Sequence, residues 1–328
     1  INSWNTYDVN NYINLGGFMK KCLITGAAGQ IGIKLLNELI KSQKYEITAV
    51  DLKSNKSLKR FANYETKVNI VYADVNDKSI IKQLIKDHDI IFHLAGIIPY
   101  VADVNSNLMN IVDYQGTVSI IDIIKKCNPK ATLIFPSTTA LYGDTKNVDN
   151  KSEINIYNND FYSQNKYKLE QYIKKNLDNY IIYRIPMIIS KDNFDNMMYN
   201  VLKNKNVEVI SDELVGIALL KTLKHLKKLN GKTFILSGGS KYRTTTNKLI
   251  RNVLKINGIS FRYMIMSTFM PQNFYTHYYD TEDLNKILDY QKGSIKEIYK
   301  SWNELKKFKR CLNRLLAYYS IRKLSKQK

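Results

Sequence analysis

An α/β fold, a doubly wound parallel sheet carrying a small C-terminal lobe, is what this 328-residue sequence predicts. Three observations support that expectation. From Lys20 onward, short β-rich runs alternate with amphipathic helical stretches, the pattern of parallel strands joined by right-handed helical crossovers. The first run leads directly into a glycine-rich turn that opens a helix, as a Rossmann-type sheet requires. Beyond Pro186 the regular alternation loosens, and the remaining chain reads as a smaller lobe with elements returning to the sheet.

The elements follow in order. Residues 21–25 form the first strand, and a helix starts at about Gln30. Ile31, Leu35, Leu36, Leu39 and Ile40 take the 3, 4 and 7 spacings of its buried face. Residues 45–52, 68–72 and 90–94 read as the next three strands, with helices at 77–86 and 107–126 between them and the fifth strand. That strand is 131–136, followed by a helix at 162–177 whose Tyr167, Leu169 and Tyr172 line its packed side, and by a sixth strand at 180–185. Later come helices near 194–202 and 212–229, a strand at 233–236, and helices at 246–256 and 281–288. The division is thus residues 1–18 as a flexible leader, 19–186 as the dinucleotide-binding domain, 187–293 as the small substrate lobe, and 294–328 as a tail. Polar, Asn-rich residues 1–18 lack the basic start and apolar block of a secretory signal. In the tail, Ile298, Trp302, Leu305, Phe308, Leu312 and Leu315 recur at near-helical spacing among Lys and Arg. Such a helix either packs its apolar side on the body or lies on an anionic membrane surface.

Composition excludes several classes. Hydrophobic residues make up 44% and charged residues 24%, ordinary globular usage rather than disorder. The formal charge of +21 is spread over most of the chain, and abundant Asn, Ile, Tyr and Lys together reflect a compositional bias. With no nucleic-acid-binding motif, nucleic acid is not an expected partner, although a positive field favours an anionic substrate. Cys22, Cys127 and Cys311 are isolated and odd in number, which fits a reducing compartment, the cytoplasm, better than a disulfide framework. His93, His225 and His277 have no partner at ligand spacing, so no metal is expected. No apolar run reaches the roughly 18 residues that span a bilayer.

The strongest local signal is Leu23-Ile24-Thr25-Gly26-Ala27-Ala28-Gly29-Gln30-Ile31-Gly32. Gly26 permits the tight turn, Gly29 lets the backbone approach a pyrophosphate, and Gly32 lets helix and strand pack closely. Ala28, Gln30 and Ile31 complete the cradle, whose helix N-terminus offers free N–H groups to phosphate. Strand two ends in Asp51, where a carboxylate accepts the ribose hydroxyls of NAD and repels the 2′-phosphate of NADP. The expected cofactor is therefore NAD, with Lys53 nearby softening the preference.

The Gly-x-x-Gly-x-x-Gly spacing resembles that of the extended short-chain dehydrogenase/reductases, the NAD-dependent epimerase/dehydratase family, and further motifs follow in that family's order. Tyr72-Ala73-Asp74-Val75 looks like its adenine-contacting strand end, which implies cofactor contacts for Asp74 and Val75. Phe92-His93-Leu94-Ala95-Gly96 looks like the segment beneath the cofactor, which implies the same for Leu94, Ala95 and Gly96. Asp113-Tyr114-Gln115-Gly116-Thr117 resembles the family's Asn-x-x-Gly-Thr, with Asp in place of Asn. Ser137 to Gly143 resembles its hydroxyl-rich strand end, and Tyr162-Ser163-Gln164-Asn165-Lys166 its Tyr-x-x-x-Lys. The resemblance covers residues 19–239.

Residues four apart share a helical face, so the Lys166 ammonium can stand beside the Tyr162 phenol. A free phenol, with a pKa of about 10, is a poor base at neutral pH, and nearby positive charge stabilises the phenolate. Tyr162 is thus the candidate general base, and the resemblance implies that Lys166 also bonds the nicotinamide ribose. Thr138 matches the family's catalytic Ser/Thr, with Thr139 and Ser137 as substitutes, and Thr139, Tyr162 and Pro186 are expected to touch substrate. Sugar dehydratases of the family carry Asp-Glu after that Thr; Thr139 and Ala140 stand here, which argues against dehydration. The segment 186–212 is short, and Tyr183-Arg184-Ile185-Pro186 lacks the family's sugar-diphosphate Asn.

The resemblance thus implies oxidoreduction at a sugar carbon of a nucleotide-sugar, by a 4-epimerase or a 4-keto-sugar reductase, in a homodimer formed through helices 107–126 and 162–177. The alternative is a dinucleotide-binding sensor or scaffold with reduced catalysis.

Overall fold

A computed structural model describes residues 19–97, 106–156, 160–190, 205–256 and 278–302. Seven parallel strands make the main sheet: β1 (Lys20–Thr25), β2 (Tyr45–Asp51), β3 (Asn69–Tyr72), β4 (Ile90–His93), β5 (Thr132–Thr138), β6 (Tyr180–Ile185) and, after three short strands, β10 (Lys232–Ile235). Their spatial order is β10-β6-β5-β4-β1-β2-β3. The chain runs outward from β1 through β2 to β3, then returns to place β4 on the other flank of β1. That reversal opens a crevice at the carboxyl ends of β1 and β4, the place where a doubly wound sheet binds its ligand. Cys22 to Thr25 are fully buried, as expected of a strand covered by helices on both faces.

Helices cover both faces. On one lie α1 (Gln30–Ser42), which buries Leu35, Leu36 and Leu39 as the spacing predicts, and α6 (Asp212–Thr222). On the other lie α3 (Lys78–Lys86), α4 (Gly116–Cys127) and α5 (Phe161–Asn176), whose Ile81, Ile120, Ile124, Leu169 and Ile173 form a second apolar cluster with Leu23 and Leu133. Between them in sequence, α2 (Asn55–Phe61) is a helix that the sequence reading does not contain; a reciprocal Ser54/Ser57 capping box starts it, and Phe61 anchors it in the core.

Three further differences have physical causes. The helix expected at 107–126 is interrupted by a π-helical turn at Asn110–Gln115, preceded by one turn at Ser106–Met109. The helix expected at 212–229 ends at Thr222, whose hydroxyl bonds back to the Ala218 carbonyl while also meeting the Tyr183 hydroxyl. A separate short helix, Leu226–Leu229, follows. Short pairs fill the loosely patterned region: β7 (Ile188–Ile189) runs parallel to β9 (Ile210–Ser211), and β8 (Asn206–Glu208) runs antiparallel to β11 (Arg243–Thr245).

The last helix among the described residues, Ile295–Trp302, buries Ile295 and Trp302 and rests Ile298 on the main core. The first turns of the basic tail therefore pack on the body; the rest of the tail, the leader 1–18 and the helix expected near 194–202 lie outside the described residues. No helix among the described residues is long and apolar enough to cross a membrane.

Candidate active site

The glycine turn sits at the end of β1. Gly26 has φ +67°, and a Cβ there would lie 2.5 Å from the Ala95 nitrogen, so both conformation and space demand glycine. A Cβ on Gly32 would lie 2.5 Å from the Gly26 and Ala27 carbonyl oxygens, which fixes the close packing of α1 on the turn. Ser54, Asp77, Asp160 and Ser211 cap α2, α3, α5 and α6 with side-chain oxygens, whereas α1 begins at Gly29 with no side-chain cap and no acidic residue in its first turn. The Gln30, Ile31 and Gly32 end of α1 therefore presents its N–H groups and partial positive charge to the crevice, which fits a pyrophosphate.

Asp51 ends β2 beside this turn. Its carboxylate accepts the Ala28 N–H (2.8 Å) and the Leu52 N–H (2.8 Å), each oxygen keeping a lone pair for a ribose hydroxyl. The Arg60 guanidinium donates to the Ala28 carbonyl at 2.6 Å, a contact invisible to motif reasoning because α2 was not anticipated. Asp74, after β3, accepts the Asn76 backbone N–H, and Val75 is buried in the second apolar cluster. Leu94, Ala95 and Gly96 continue from β4 across the crevice floor, tied to β1 by the Leu94 N–H on the Thr25 carbonyl at 3.0 Å.

Directly beneath Gly96 lies a feature that spacing alone did not reveal. The Asp113 carboxylate, carried by the π-helical turn, accepts the Ile97 N–H at 2.6 Å through Oδ1 and pairs with the Lys166 ammonium at 3.4 Å through Oδ2. Both side chains are almost wholly shut off from solvent. Lys166 stands one helical turn from Tyr162 on α5, with its Nζ 5.7 Å from the Tyr162 ring centre and 5.1 Å from that of Phe135. Burial opposes the Lys166 charge, but Asp113 and Tyr162 outweigh it and hold the ammonium above its ordinary pKa. Burial pushes the Tyr162 phenol up; Lys166 draws it down, and Asp113 and Asp160 push it further up.

Thr138 closes β5, where its hydroxyl accepts the Ala140 N–H at 3.1 Å and starts the 3₁₀ turn Thr139–Tyr142. Thr139 is turned toward the C-terminal lobe, taking a hydrogen bond from the Tyr279 hydroxyl at 3.0 Å. Pro186 is buried where the chain leaves β6. Beneath the turn, Arg184 donates two hydrogen bonds to Glu170 and one to the Tyr142 hydroxyl, while the Ser137 hydroxyl also donates to Glu170. This buried network links β5, β6 and α5. The structure thus brings Gly96, Asp113, Tyr162 and Lys166 together, next to the Leu94–Ala95 backbone that Gly26 rests against, with Asp51 bonded to the same glycine turn through the Ala28 N–H.

The model of the NAD dependent epimerase/dehydratase family matches residues 22–225. The chain belongs to this family. Among its relatives, a UDP-N-acetyl-alpha-D-glucosaminuronate decarboxylase of Bacillus cytotoxicus is 33% identical over 125 residues, 38% of each chain. A CDP-paratose 2-epimerase of Salmonella typhi is 28% identical over 134 residues, again 38% of each. The matched stretch thus spans about 38% of the length of these curated relatives. Solved structures of similar fold include the UDP-glucuronic acid 4-epimerase of Bacillus cereus in complex with UDP-glucuronic acid and NAD, with a TM-score of 0.72 at 16% identity over 87% of this chain and 98% of that one. The UDP-glucose 4-epimerase of Bifidobacterium longum in complex with NAD+ and UDP gives a TM-score of 0.73 at 16% identity, covering 87% and 97%. Family membership rests on the family model, and the structural neighbours establish the Rossmann-type fold.

Proposed function

We propose that this chain is an NAD-dependent enzyme that carries out oxidoreduction at a sugar carbon of a nucleotide-sugar, as a 4-epimerase or a 4-keto-sugar reductase. The observation that carries the reading is the Tyr162–Lys166 face of α5, with Lys166 buried beside Asp113 and next to the Ala95–Gly96 backbone against which the uncapped glycine turn rests. NAD, when bound, supplies the hydride acceptor or, in reduced form, the donor. The chain's own residues do the rest. Gly26, Gly29 and Gly32 let the backbone approach the pyrophosphate, and Asp51 receives the adenosine ribose. Tyr162 takes the proton from the substrate hydroxyl as its carbon is oxidised, and the Lys166 charge stabilises the resulting phenolate. Thr138 holds the substrate oxygen while charge moves. In an epimerase Tyr162 would return that proton to the oxygen of a rotated ketone whose carbon would receive the hydride back on its other face from reduced NAD, and in a reductase Tyr162 would protonate once the oxygen of a ketone that would receive hydride from reduced NAD.

Incubating the protein and its Tyr162→Phe variant with UDP-, GDP-, CDP- and dTDP-sugars, with NAD and NADH, tests this. Conversion of at least one sugar, lost by 10²-fold or more in the variant, is expected from removal of a general base. Tight NAD binding without conversion of any sugar would instead favour a dinucleotide-binding sensor or scaffold, a reading motivated by Asp113 where the resemblance implies Asn. Homodimerisation through α4 and α5 belongs to the same proposal. Ile111 and Phe161, at the approach to these helices, are exposed apolar side chains, and light scattering on an Ile111→Asp, Phe161→Asp double variant should show monomers.

A further inference from the structure

The resemblance implies a neutral Asn where this chain has Asp113, and the structure shows what the extra charge touches. We propose that Asp113 is a positioning residue whose carboxylate neutralises the Lys166 ammonium in a buried ion pair and so shifts the working range of this site to alkaline pH. The inference deepens the catalytic reading above and rests on it.

Three features converge on the pair. Asp113 stands on the wide π-helical turn, which sets its side chain against α5. Gly96 leaves the space above open, since a Cβ there would lie 3.2 Å from Asp113 Oδ1 and 3.5 Å from Lys166 Nζ. Oδ1 is occupied by the Ile97 N–H, so Oδ2, which is buried and makes no hydrogen bond, is left with Lys166 as its ion-pair partner. An Asn could keep the Ile97 bond through its carbonyl oxygen. Its amide would then face Lys166 with a donor instead of an acceptor. The geometry therefore keeps one half of Asp113's function available to Asn and reserves the other half for the charge.

The groups around the phenol decide the sign. From its own helix, Tyr162 sees the Lys166 cation and, at the N-cap, the buried Asp160 carboxyl, which burial pushes up. From the π-helical turn it sees Asp113. From β4, His93 lies within the field of Lys166 but is held neutral by burial. From β5 the neighbour of Lys166 is the uncharged Phe135 ring. One cation thus faces two carboxyl groups, and removing the Asp113 charge leaves Lys166 to act on the phenol with less opposition.

The test uses the full chain saturated with NAD. The ultraviolet difference between each protein and its Tyr162→Phe counterpart isolates the Tyr162 phenolate among the other tyrosines. Asp113→Asn is expected to lower the Tyr162 pKa by about one unit or more, the size of effect a nearby charge exerts on a buried group. On any sugar that is converted, the acidic limb of kcat/KM against pH should move down equally. Asp113→Ser gives the same reading if the Asn variant does not fold, with folding confirmed by circular dichroism and NAD binding. An unchanged phenol titration in a folded, NAD-binding variant overturns the proposal. The spectroscopic shift without conversion of any sugar would sink only the assigned activity, whereas conversion with an unshifted pH profile would sink only the role of Asp113.

Discussion

His93 ends β4, directly before the Leu94–Gly96 segment, and both of its ring nitrogens are engaged in architecture. Nδ1 meets the Thr25 hydroxyl at 2.7 Å and Nε2 the Thr117 hydroxyl at 2.9 Å, so the imidazole ties β4 to β1 and α4. The sequence reading treats it as structural because no partner stands at ligand spacing, and the two hydroxyl contacts show what it holds together. Burial, reinforced by the Lys166 charge, pushes its pKa down to about 3. The folded state therefore prefers neutral imidazole, and the stability this gives is present above the unfolded pKa of about 6.5 and lost as pH falls from there toward 3. One proton contributes a slope of up to about 1.4 kcal/mol per pH unit across that window. Urea unfolding of the wild type and of His93→Gln at pH 7.5 and pH 5 should show the wild type losing more stability than the variant on acidification. Equal losses would mean that His93 is charged or absent from the linkage. Asp113 was legible as a departure from a motif, but its contact with Lys166 was not, because pairing between residues on different helices depends on how the helices are set against each other.

Secondary structure was most legible where one physical signal dominated. Buried runs such as Cys22 to Thr25 and Ile181 to Ile185 have little choice but to be central strands, and the Leu35, Leu36 and Leu39 stripe defines α1. The short α2 was hidden in a lysine-rich stretch in which only Leu58 and Phe61 are apolar, with Ser54 and Ser57 as its start signal. A π-helical turn leaves the helical periodicity nearly intact, and so Asn110–Gln115 was read as ordinary helix. The conformation and close packing of the glycine turn were legible, since both are local. Gly26→Ala puts a side chain at φ +67°, a cost of about 1–2 kcal/mol, and drives its Cβ into the backbone at Ala95. The turn should move away from β4, and calorimetry should find NAD affinity reduced at least tenfold, with a lowered Tm. Retained affinity would show that the turn does not bear the dinucleotide.

At the scale of the whole molecule, the main core does not stop at the sheet. Ile24, Leu35 and Ile134 belong to the same apolar cluster as Val207, Leu249, Tyr290 and Trp302, so the elements after Pro186 complete a core that the strands alone leave open. The return of later elements to the sheet was legible, but the extent of the shared core was not, because the short strands β7, β8, β9 and β11 carry too few residues to declare a period. One carboxylate stitches that region together. Glu208, fully enclosed, accepts the Gly239 N–H at 3.1 Å, the Arg243 Nε–H at 2.8 Å and the Tyr279 N–H at 3.3 Å. Tyr279 in turn reaches Thr139, beside the candidate catalytic Thr138. Removing Glu208 leaves two backbone donors and one guanidinium without their acceptor, a loss on the order of 3 kcal/mol. If sheet and lobe share a core, that loss must be felt everywhere at once. In a Trp4→Phe background, Trp302 emission and far-ultraviolet circular dichroism should report one coincident melting transition, and Glu208→Ala should lower both midpoints together. Two separated transitions, with only the tryptophan signal shifted, would show instead that the lobe folds as an independent unit and that the position of Thr139 is not secured from across the molecule.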